Sequence, residues 1–180
     1  MTRIIVQHKG RYVTLSVMSL RPLDPRIVNV CYDANALDCA DGAQEAAVAR
    51  LLALAEANEI ILVTPRTVLG EIEHPNTPAA VRRAALPQIF TIQTSHTTGE
   101  RQTADAIRTI LQGNAQAGQH DADAAHIAEA DKYGGYFIAH DGRILAKRDE
   151  LKLVLQPSLQ IVTLAEFLDI YDHYVAEETP

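Results

Sequence analysis

The chain has 180 residues, of which 47% are hydrophobic, so it is long and apolar enough to fold as one globular domain rather than to remain disordered. No apolar run reaches the ~20 residues that a membrane helix requires, and the N-terminus has neither the apolar core nor the cleavage site of a signal peptide. The formal net charge of -7 argues against a nucleic-acid ligand held by overall charge alone. We therefore expect a cytoplasmic protein without a membrane partner.

The first 26 residues differ in pattern from the rest of the chain. Two β-rich runs, Ile4–Val6 and Tyr12–Val17, flank a turn signal at Lys9-Gly10, and this pattern predicts a β-hairpin. A linker follows, because Pro22 and Pro25 disfavour both helix and strand interior. The chain is thus divided into a hairpin and linker at 1–26, a main domain at 27–174 and a C-terminal tail at 175–180.

From residue 27 onward, short apolar runs alternate with helical patterns. The apolar runs have the length of buried strands and are predicted at 27–32, 60–63, 90–93, 135–139 and 159–162. Helices are predicted at 43–58, from Pro65 past Glu71, from Thr77 onward, at 100–112, from Asp121 or Asp123 to about 132, at about 143–150 and at 163–174. Because strands that alternate with helices form parallel sheets covered on both faces, we expect an α/β fold with three layers and a central parallel sheet.

Four carboxylates stand where such a sheet would bring them together. Asp33 and Asp141 each follow an apolar strand, at the carboxyl edge where open parallel sheets bind ligands. Glu71 lies on the helix after the second strand, and Asp123 lies at the start of another helix. Carboxylates crowded at neutral pH repel one another, and a divalent cation removes that repulsion. Oxygen ligands select Mg²⁺ or Mn²⁺, and water on such a cation is acidic enough to attack a phosphodiester.

Each of these four carboxylates also has an ordinary structural explanation. Asp33 and Asp123 could each cap a helix. Glu71 could be a solvated helix residue, and Asp141 could open a turn with Gly142. Two independent strands that both end in aspartate nevertheless favour a shared site. Two assignments stay open, because Glu73 competes with Glu71 and Asp121 competes with Asp123.

The order and spacing of these residues resemble a known family. Asp33-Ala-Asn35 follows an apolar strand, and Thr64–Glu71 joins a strand to a helix with a glutamate. Asp121–Asp141 combines an acidic helix start, a helix of small residues and a strand that ends in aspartate. Together these stretches resemble the motifs of PIN domains, over roughly residues 28–172. No single motif is specific, whereas their order and spacing together are fairly specific.

This resemblance implies a VapC-like, metal-dependent ribonuclease with a PIN-like three-layer fold. Its catalytic residues would be Asp33, Glu71, Asp123 and Asp141, which would hold Mg²⁺ or Mn²⁺ with Asp121 as an additional ligand. The family typically cleaves RNA endonucleolytically, and many of its members are toxins that an antitoxin protein holds inactive. Besides RNA, an antitoxin and a second copy of the chain are therefore candidate partners.

Three further residues are candidates for substrate contact. The Asn35 amide could orient a carboxylate or the substrate, and Arg143 and Lys147 share a helix face from which they could contact RNA phosphates. Each has an ordinary alternative, as an Asx-turn residue or as part of a solvated helix face. We expect no metal binding by the nearby histidines, which are His120, His126 and His140.

The leading hypothesis is an Mg²⁺- or Mn²⁺-dependent ribonuclease in which the carboxylate cluster holds the metal that activates water. The alternative is a catalytically inactive PIN-fold binding or scaffold protein, which the acidic charge and the aromatic content of 5% favour. A phosphatase with an aspartyl nucleophile is a third candidate. It fits less well, because Asp33-Ala-Asn35 lacks the second aspartate of a paired Asp-x-Asp motif.

Overall fold

The computed structural model describes residues 2–8, 11–17, 23–38, 42–92 and 95–178. Within these residues, seven strands form two sheets. The strands are β1 (Thr2–His8), β2 (Arg11–Val17), β3 (Asn29–Tyr32), β4 (Ile61–Thr64), β5 (Ile89–Phe90), β6 (Gly135–Ile138) and β7 (Leu159–Val162). β1 and β2 pair with each other, and the other five form the main sheet.

The same residues contain eight α-helices and a short 3₁₀ helix, Ala34–Leu37. The α-helices are α1 (Gly42–Glu56), α2 (Arg66–Ile72), α3 (Ala79–Ala85), α4 (Thr98–Gln112), α5 (Asp121–Tyr133), α6 (Gly142–Ala146), α7 (Arg148–Leu151) and α8 (Leu164–Glu178). Within the described ranges, none of these helices has both the length and the apolar surface needed to cross a lipid bilayer.

The main sheet consists of five parallel strands in the order β5-β4-β3-β6-β7. Successive residues of a strand point to opposite faces, so β3 contributes to two separate cores. Val30 and Tyr32 pack with residues of α1, α3 and α8, whereas Cys31 packs with residues of α4 and α5. The predicted α/β architecture, with a central parallel sheet covered by helices on both faces, is confirmed.

The strand order reverses beside β3, and this reversal positions the candidate site. The chain passes from β3 to β4 and β5 on one side of the sheet, then crosses to β6 and β7 on the other side. Connections that leave the carboxyl ends of β3 and β6 therefore run in opposite directions and leave a crevice between them, the usual ligand position in such sheets. Asp33 directly follows β3, and Asp141 lies three residues after the end of β6.

The predicted N-terminal hairpin is present as a strand pair. β1 and β2 run antiparallel, with His8 opposite Arg11 at one end and Thr2 opposite Val17 at the other. The turn predicted at Lys9-Gly10 lies outside the described residues. The hairpin strands are longer than the two β-rich runs, because backbone pairing extends through the polar residues that flank them.

Other elements differ from the predictions mainly in length. The helix predicted at 143–150 is divided into α6 and α7, because Lys147 has a non-helical φ of -98° and ψ of 3°. β5 has two residues instead of four. α8 continues to Glu178, into the predicted tail, because Tyr174 is buried in its last part and anchors it to the core.

Candidate metal centre

Asp33 carries a buried carboxylate that makes no hydrogen bond with the described residues. β3 carries it to the carboxyl edge of the sheet, where its backbone N–H donates to Ile138 O at 3.0 Å and continues the pairing with β6. The residue is 1% exposed, and neither carboxylate oxygen has a hydrogen-bond partner within the described parts of the chain. It precedes the 3₁₀ helix but makes no side-chain cap bond. Because burying an unpaired carboxylate costs several kcal/mol, this group needs a cation or a proton.

Two more ligand groups face Asp33 from neighbouring helices. Glu71 lies on α2 and His126 lies on α5, and these helices pack against each other. One ligand atom from each of the three residues lies within 4.8 Å of the others, and His126 Nε2 is 3.8 Å from Glu71 Oε1. The Nδ1 atom of His126 is also buried without a hydrogen-bond partner among the described residues. We refer to Asp33, Glu71 and His126 as the candidate metal centre.

In the absence of a cation, the pKa values of all three side chains of this centre are shifted toward their uncharged forms. The pKa of the Asp33 carboxyl is raised from 3.8 to about 6, chiefly by burial; the His126 imidazole opposes this shift. The negative charges of Glu71 and Asp123 add to it. Burial and the Asp123 charge raise the pKa of Glu71, and burial lowers the pKa of His126. A divalent cation would stabilise the ionised carboxylates and the neutral imidazole together.

Asp123 borders the centre, whereas Asp121 points away from it. The Asp123 Oδ2 atom lies 3.1 Å from His120 Nδ1, and its charge reaches both Asp33 and Glu71. Asp121 is 54% exposed at its side chain and pairs with Arg108 Nε at 3.1 Å. Neither aspartate caps α5, because His120 occupies the cap position and makes no side-chain cap bond. Of Asp121 and Asp123, the two aspartates that the sequence left open, only Asp123 lies near the centre.

Asp141 has a different local role from Asp33, although both follow a strand. Its Oδ1 atom accepts hydrogen bonds from the backbone N–H groups of Arg143 at 2.8 Å and Ile144 at 3.0 Å. The carboxylate thus caps α6 and satisfies N–H groups that have no partner inside that helix. Asp141 is not among the three residues whose ligand atoms converge. The alternative considered from the sequence was a turn opened with Gly142; the structure instead has a helix that begins at Gly142 and is capped by Asp141.

The residues predicted to contact substrate lie around the centre but are engaged in other ways. Asn35 is exposed, and its backbone N–H is the weakest of the influences that lower the pKa of Asp33. The Arg143 guanidinium donates to the carbonyl of Leu111 and, at 2.6 Å, to that of Gln112. Lys147 Nζ pairs with Glu150 at 2.7 Å. Arg143 therefore caps the end of α4 through neutral acceptors, whereas Lys147 is held in an ion pair.

His126 is the member of the centre that the sequence prediction left out. It lies three residues after Asp123, so the two share one face of α5. That spacing is the feature of the sequence that could have indicated His126 as a ligand. It was indecisive because a histidine in an apolar helix commonly packs in the core, and only the contact between α2 and α5 brings His126 to Glu71. The same contact distinguishes the two glutamates that the sequence left open. Glu71 joins the centre, whereas Glu73 is exposed at the end of α2.

Glu129 connects the two helices that carry Glu71 and His126. Its carboxylate accepts from the backbone N–H groups of Arg66 at 2.9 Å and Thr67 at 2.8 Å, and from the Thr91 hydroxyl. Although burial raises the pKa of Glu129, these hydrogen bonds hold it below its ordinary value. A side chain of α5 thus caps the first turn of α2, so Glu129 fixes Glu71 relative to His126.

Replacing Glu129 with glutamine is expected to weaken this connection. The NH₂ group of glutamine cannot accept the hydrogen bonds that one carboxylate oxygen of Glu129 accepts. We therefore expect a loss of about 1–3 kcal/mol in the free energy of unfolding. Misplacement of Glu71 should weaken Mn²⁺ binding by about tenfold. Urea unfolding and calorimetry measure the two effects, with Glu150→Gln on exposed α7 as the matched control. Unchanged Mn²⁺ affinity in Glu129→Gln would show that Glu129 does not position the centre.

The structure thus brings Asp33 and Glu71 together, holds Asp123 at their border, and directs Asp121 and Asp141 to other partners. It adds His126, which gives a set of two carboxylates and one imidazole. The chemistry of that set carries the functional argument, because no protein-family model, no curated protein and no solved structure matched the chain.

Proposed function

We propose that this protein is a metal-dependent ribonuclease of the PIN type, which hydrolyses internal phosphodiester bonds of RNA. One observation carries the proposal: the buried Asp33 carboxylate makes no hydrogen bond within the described residues and lies beside Glu71 and His126. A purely structural aspartate at this depth would accept hydrogen bonds, as Asp131 does from Gln156 N at 2.8 Å. An unsatisfied carboxylate at a sheet edge is instead suited to a cation.

The ligand types indicate which cation fits. Two carboxylates suit both Mg²⁺ and Mn²⁺, which were expected from the sequence. An imidazole nitrogen suits transition metals better than Mg²⁺, which demands a near-ideal shell of oxygens. With His126 in the centre, Mn²⁺ is therefore the preferred ion of the two. Mg²⁺ would have to rely on Asp33, Glu71 and water, with the Asp123 carboxylate nearby.

The protein residues have distinct tasks in such a reaction. When bound, a divalent cation supplies acidified water and stabilises the charge that develops on the phosphate. Asp33, 1% exposed, would hold the ion from the buried side, where water is excluded. Glu71, whose side chain is 41% exposed, lies on the side open to solvent and would meet the substrate. Asp123, held by His120, would accept a proton at its carboxylate from the attacking water.

RNA as the substrate is the part of this proposal that rests on the sequence motifs. Asp33-Ala-Asn35, the Glu71 helix and the Asp123 helix have the order of the PIN pattern, and the parallel sheet has the architecture that the pattern implies. An antitoxin and a second copy of the chain remain proposed partners on the same basis. A cytoplasmic location agrees with an RNA substrate.

A PIN-fold scaffold without catalysis is the second candidate. The observation that favours it is the use of Asp141 as a helix cap, which leaves the centre with fewer acidic ligands than the sequence predicted. The two functions differ in metal binding. Calorimetry that detects no Mn²⁺ binding in the millimolar range would support the scaffold and count against the ribonuclease.

The direct test is cleavage of single-stranded RNA by the purified protein with Mn²⁺, compared with a Glu71→Gln variant. This variant keeps the shape of the side chain but removes a ligand charge. We expect RNA cleavage to fall by about 100-fold or more, because a direct ligand should matter at least as much as the residues that support ligands. Addition of a chelator should abolish cleavage by the wild-type protein.

Asp121→Asn is the matched control. It removes one negative charge from α5 but alters only an exposed pair with Arg108. We expect its cleavage rate to stay close to that of the wild-type protein. A loss equal to that of Glu71→Gln would instead support Asp121 as a ligand. Equal cleavage by the wild-type protein and Glu71→Gln, or no cleavage of varied RNAs by either, would overturn the proposal.

A further inference from the structure

A groove lies between α4 and α5, beside the first turn of α2. Its cavity volume is about 570 Å³, within the range of roughly 300–1,000 Å³ that is usual for ligand pockets. Four basic side chains line this α4–α5 groove: Arg66, Arg101, Arg108 and Lys132. Two carboxylates, those of Asp105 and Glu129, also line it, which leaves an excess of two positive charges in a chain with a net charge of -7. Neither the candidate metal centre nor the proposed reaction makes use of it.

Two of these four charges have no carboxylate partner among the described residues. Arg108 contacts both Asp105 and Asp121, and Lys132 contacts Glu100. Arg101, in contrast, donates to neutral acceptors, the His96 carbonyl at 3.0 Å and the Thr98 hydroxyl at 3.2 Å. Arg66 is exposed and makes hydrogen bonds through its backbone N–H, while its side chain has no ion pair or hydrogen bond with any described residue. The carboxylate of Glu129, which also lines the groove, is occupied by the N–H groups of α2.

The α4–α5 groove adjoins the candidate metal centre. Thr67 lines the groove and lies one helical turn before Glu71 on α2. On α5, Ala125 lines the groove and precedes His126. The backbone of Thr67 also acts on the His126 imidazole, where it opposes the lowering of its pKa. A ligand that follows the groove past Thr67 therefore reaches Glu71 within one turn of α2.

We propose that the α4–α5 groove binds the phosphates of a single RNA strand and directs the strand to the metal centre. Arg66 and Arg101 contact the phosphates, while exposed Ile92 and the Tyr133 ring provide an apolar rim for bases. A cavity of about 570 Å³ has room for a short part of a single strand. The inference rests on the proposed ribonuclease function and names a substrate-binding surface for it, besides the contacts of Arg143 and Lys147 that the sequence predicts.

The test measures binding separately from cleavage. Fluorescence anisotropy of a short, labelled, unstructured RNA is recorded in EDTA over a series of salt concentrations. For Arg66→Ala/Arg101→Ala we expect binding about fivefold to tenfold weaker than for the wild-type protein, and a smaller salt dependence, because each lost phosphate contact removes about 0.7 from the logarithmic slope. Arg66→Lys/Arg101→Lys keeps both charges and should retain most of the binding.

Arg83→Ala/Lys152→Ala is the matched control, since it removes two exposed positive charges that do not line the groove. Its RNA affinity should equal that of the wild-type protein, and thermal unfolding verifies that all variants fold. Equal affinity of the groove variant and the wild-type protein, no RNA binding by the wild-type protein, or preference for an acidic peptide over RNA would each overturn the inference. If the wild-type protein binds RNA through the groove but does not cleave it with Mn²⁺, only the proposed ribonuclease function is contradicted.

Discussion

Asp33→Asn is expected to abolish Mn²⁺ binding and RNA cleavage while it stabilises the metal-free protein at neutral pH. The wild-type carboxylate is buried without a hydrogen bond among the described residues, and its pKa is raised from 3.8 to about 6. A shift of this size corresponds to about 3 kcal/mol of lost stability once the group is ionised. Asparagine removes the charge but leaves a buried amide, which costs about 1–3 kcal/mol, so we expect a gain of up to about 2 kcal/mol in the free energy of unfolding.

The sign of the pH dependence follows from the direction of the shift. Because the folded-state pKa of Asp33 is higher than the unfolded-state value of 3.8, folding is favoured by protonation. This contribution to stability is fully present below pH 3.8 and is lost as the pH rises through about 6. The lowered pKa of His126 acts in the opposite direction, since its unfolded form takes up a proton below 6.5. The difference between wild type and Asp33→Asn measures the Asp33 contribution together with its coupling to His126, whose pKa the Asp33 charge raises.

Urea unfolding in EDTA at an acidic and an alkaline pH measures this difference. The stability advantage of Asp33→Asn should be small near pH 4 and largest above pH 7. Mn²⁺ should stabilise the wild-type protein more at the alkaline pH, and it should leave the variant unchanged. Asp38→Asn is the control, because Asp38 is exposed just beyond the 3₁₀ helix. An Asp33→Asn variant that is less stable than the wild-type protein and still binds Mn²⁺ would contradict two assignments. These are the role of Asp33 as a metal ligand and the destabilisation that we attribute to its buried charge.

Gly135→Ala is expected to remove most of the stability of the fold. Gly135 begins β6 with a φ of 95°, a conformation that L-residues with side chains rarely adopt. A Cβ atom at this position would lie 2.0 Å from Asn29 O and 2.9 Å from Asn29 C, which belong to the backbone of β3. Backbone strain and overpacking together cost about 4 kcal/mol or more. This is a large part of the roughly 5–15 kcal/mol by which native proteins are stable.

Relief of that clash would require β6 to move away from β3, the two strands whose ends frame the site crevice. Gly135→Ala should therefore yield little soluble protein or show a strongly lowered unfolding midpoint in urea. Gly70→Ala is the matched control, because Gly70 is an exposed residue within α2 and a Cβ there meets no atom within 4 Å. The control should gain about 0.5–1 kcal/mol. Equal unfolding midpoints for Gly135→Ala and wild type would show that the close approach of β6 to β3 is not required.

The elements with strong local patterns were predicted correctly in kind. The apolar runs that became β3, β4, β6 and β7 are short, continuous and bounded by polar or turn residues, which is typical of buried parallel strands. The shortest strand, β5, was the least well predicted. Its two residues, Ile89 and Phe90, pair with the end of β4.

Asp33 and Asp141 illustrate where the sequence pattern becomes ambiguous. Both follow an apolar strand at the carboxyl edge of the sheet, so their local sequences predict the same role. The structure separates them, because the first N–H groups of α6 need an acceptor and the Asp141 carboxylate supplies it. Beside Asp33, the short 3₁₀ helix takes no side-chain cap from the carboxylate, which stays without a hydrogen bond among the described residues.

The sequence by itself determined the α/β architecture, the hairpin and the placement of Asp33 at a strand end, because alternation of strand and helix patterns is a property of neighbouring residues. Only the tertiary structure decided which side chains face one another. The contact between α2 and α5, held by Glu129, brings His126 to Glu71 and leaves Glu73 and Asp121 in solvent. Residues far apart in the chain carry no local signal of such a meeting, since it depends on how the helices pack across the sheet.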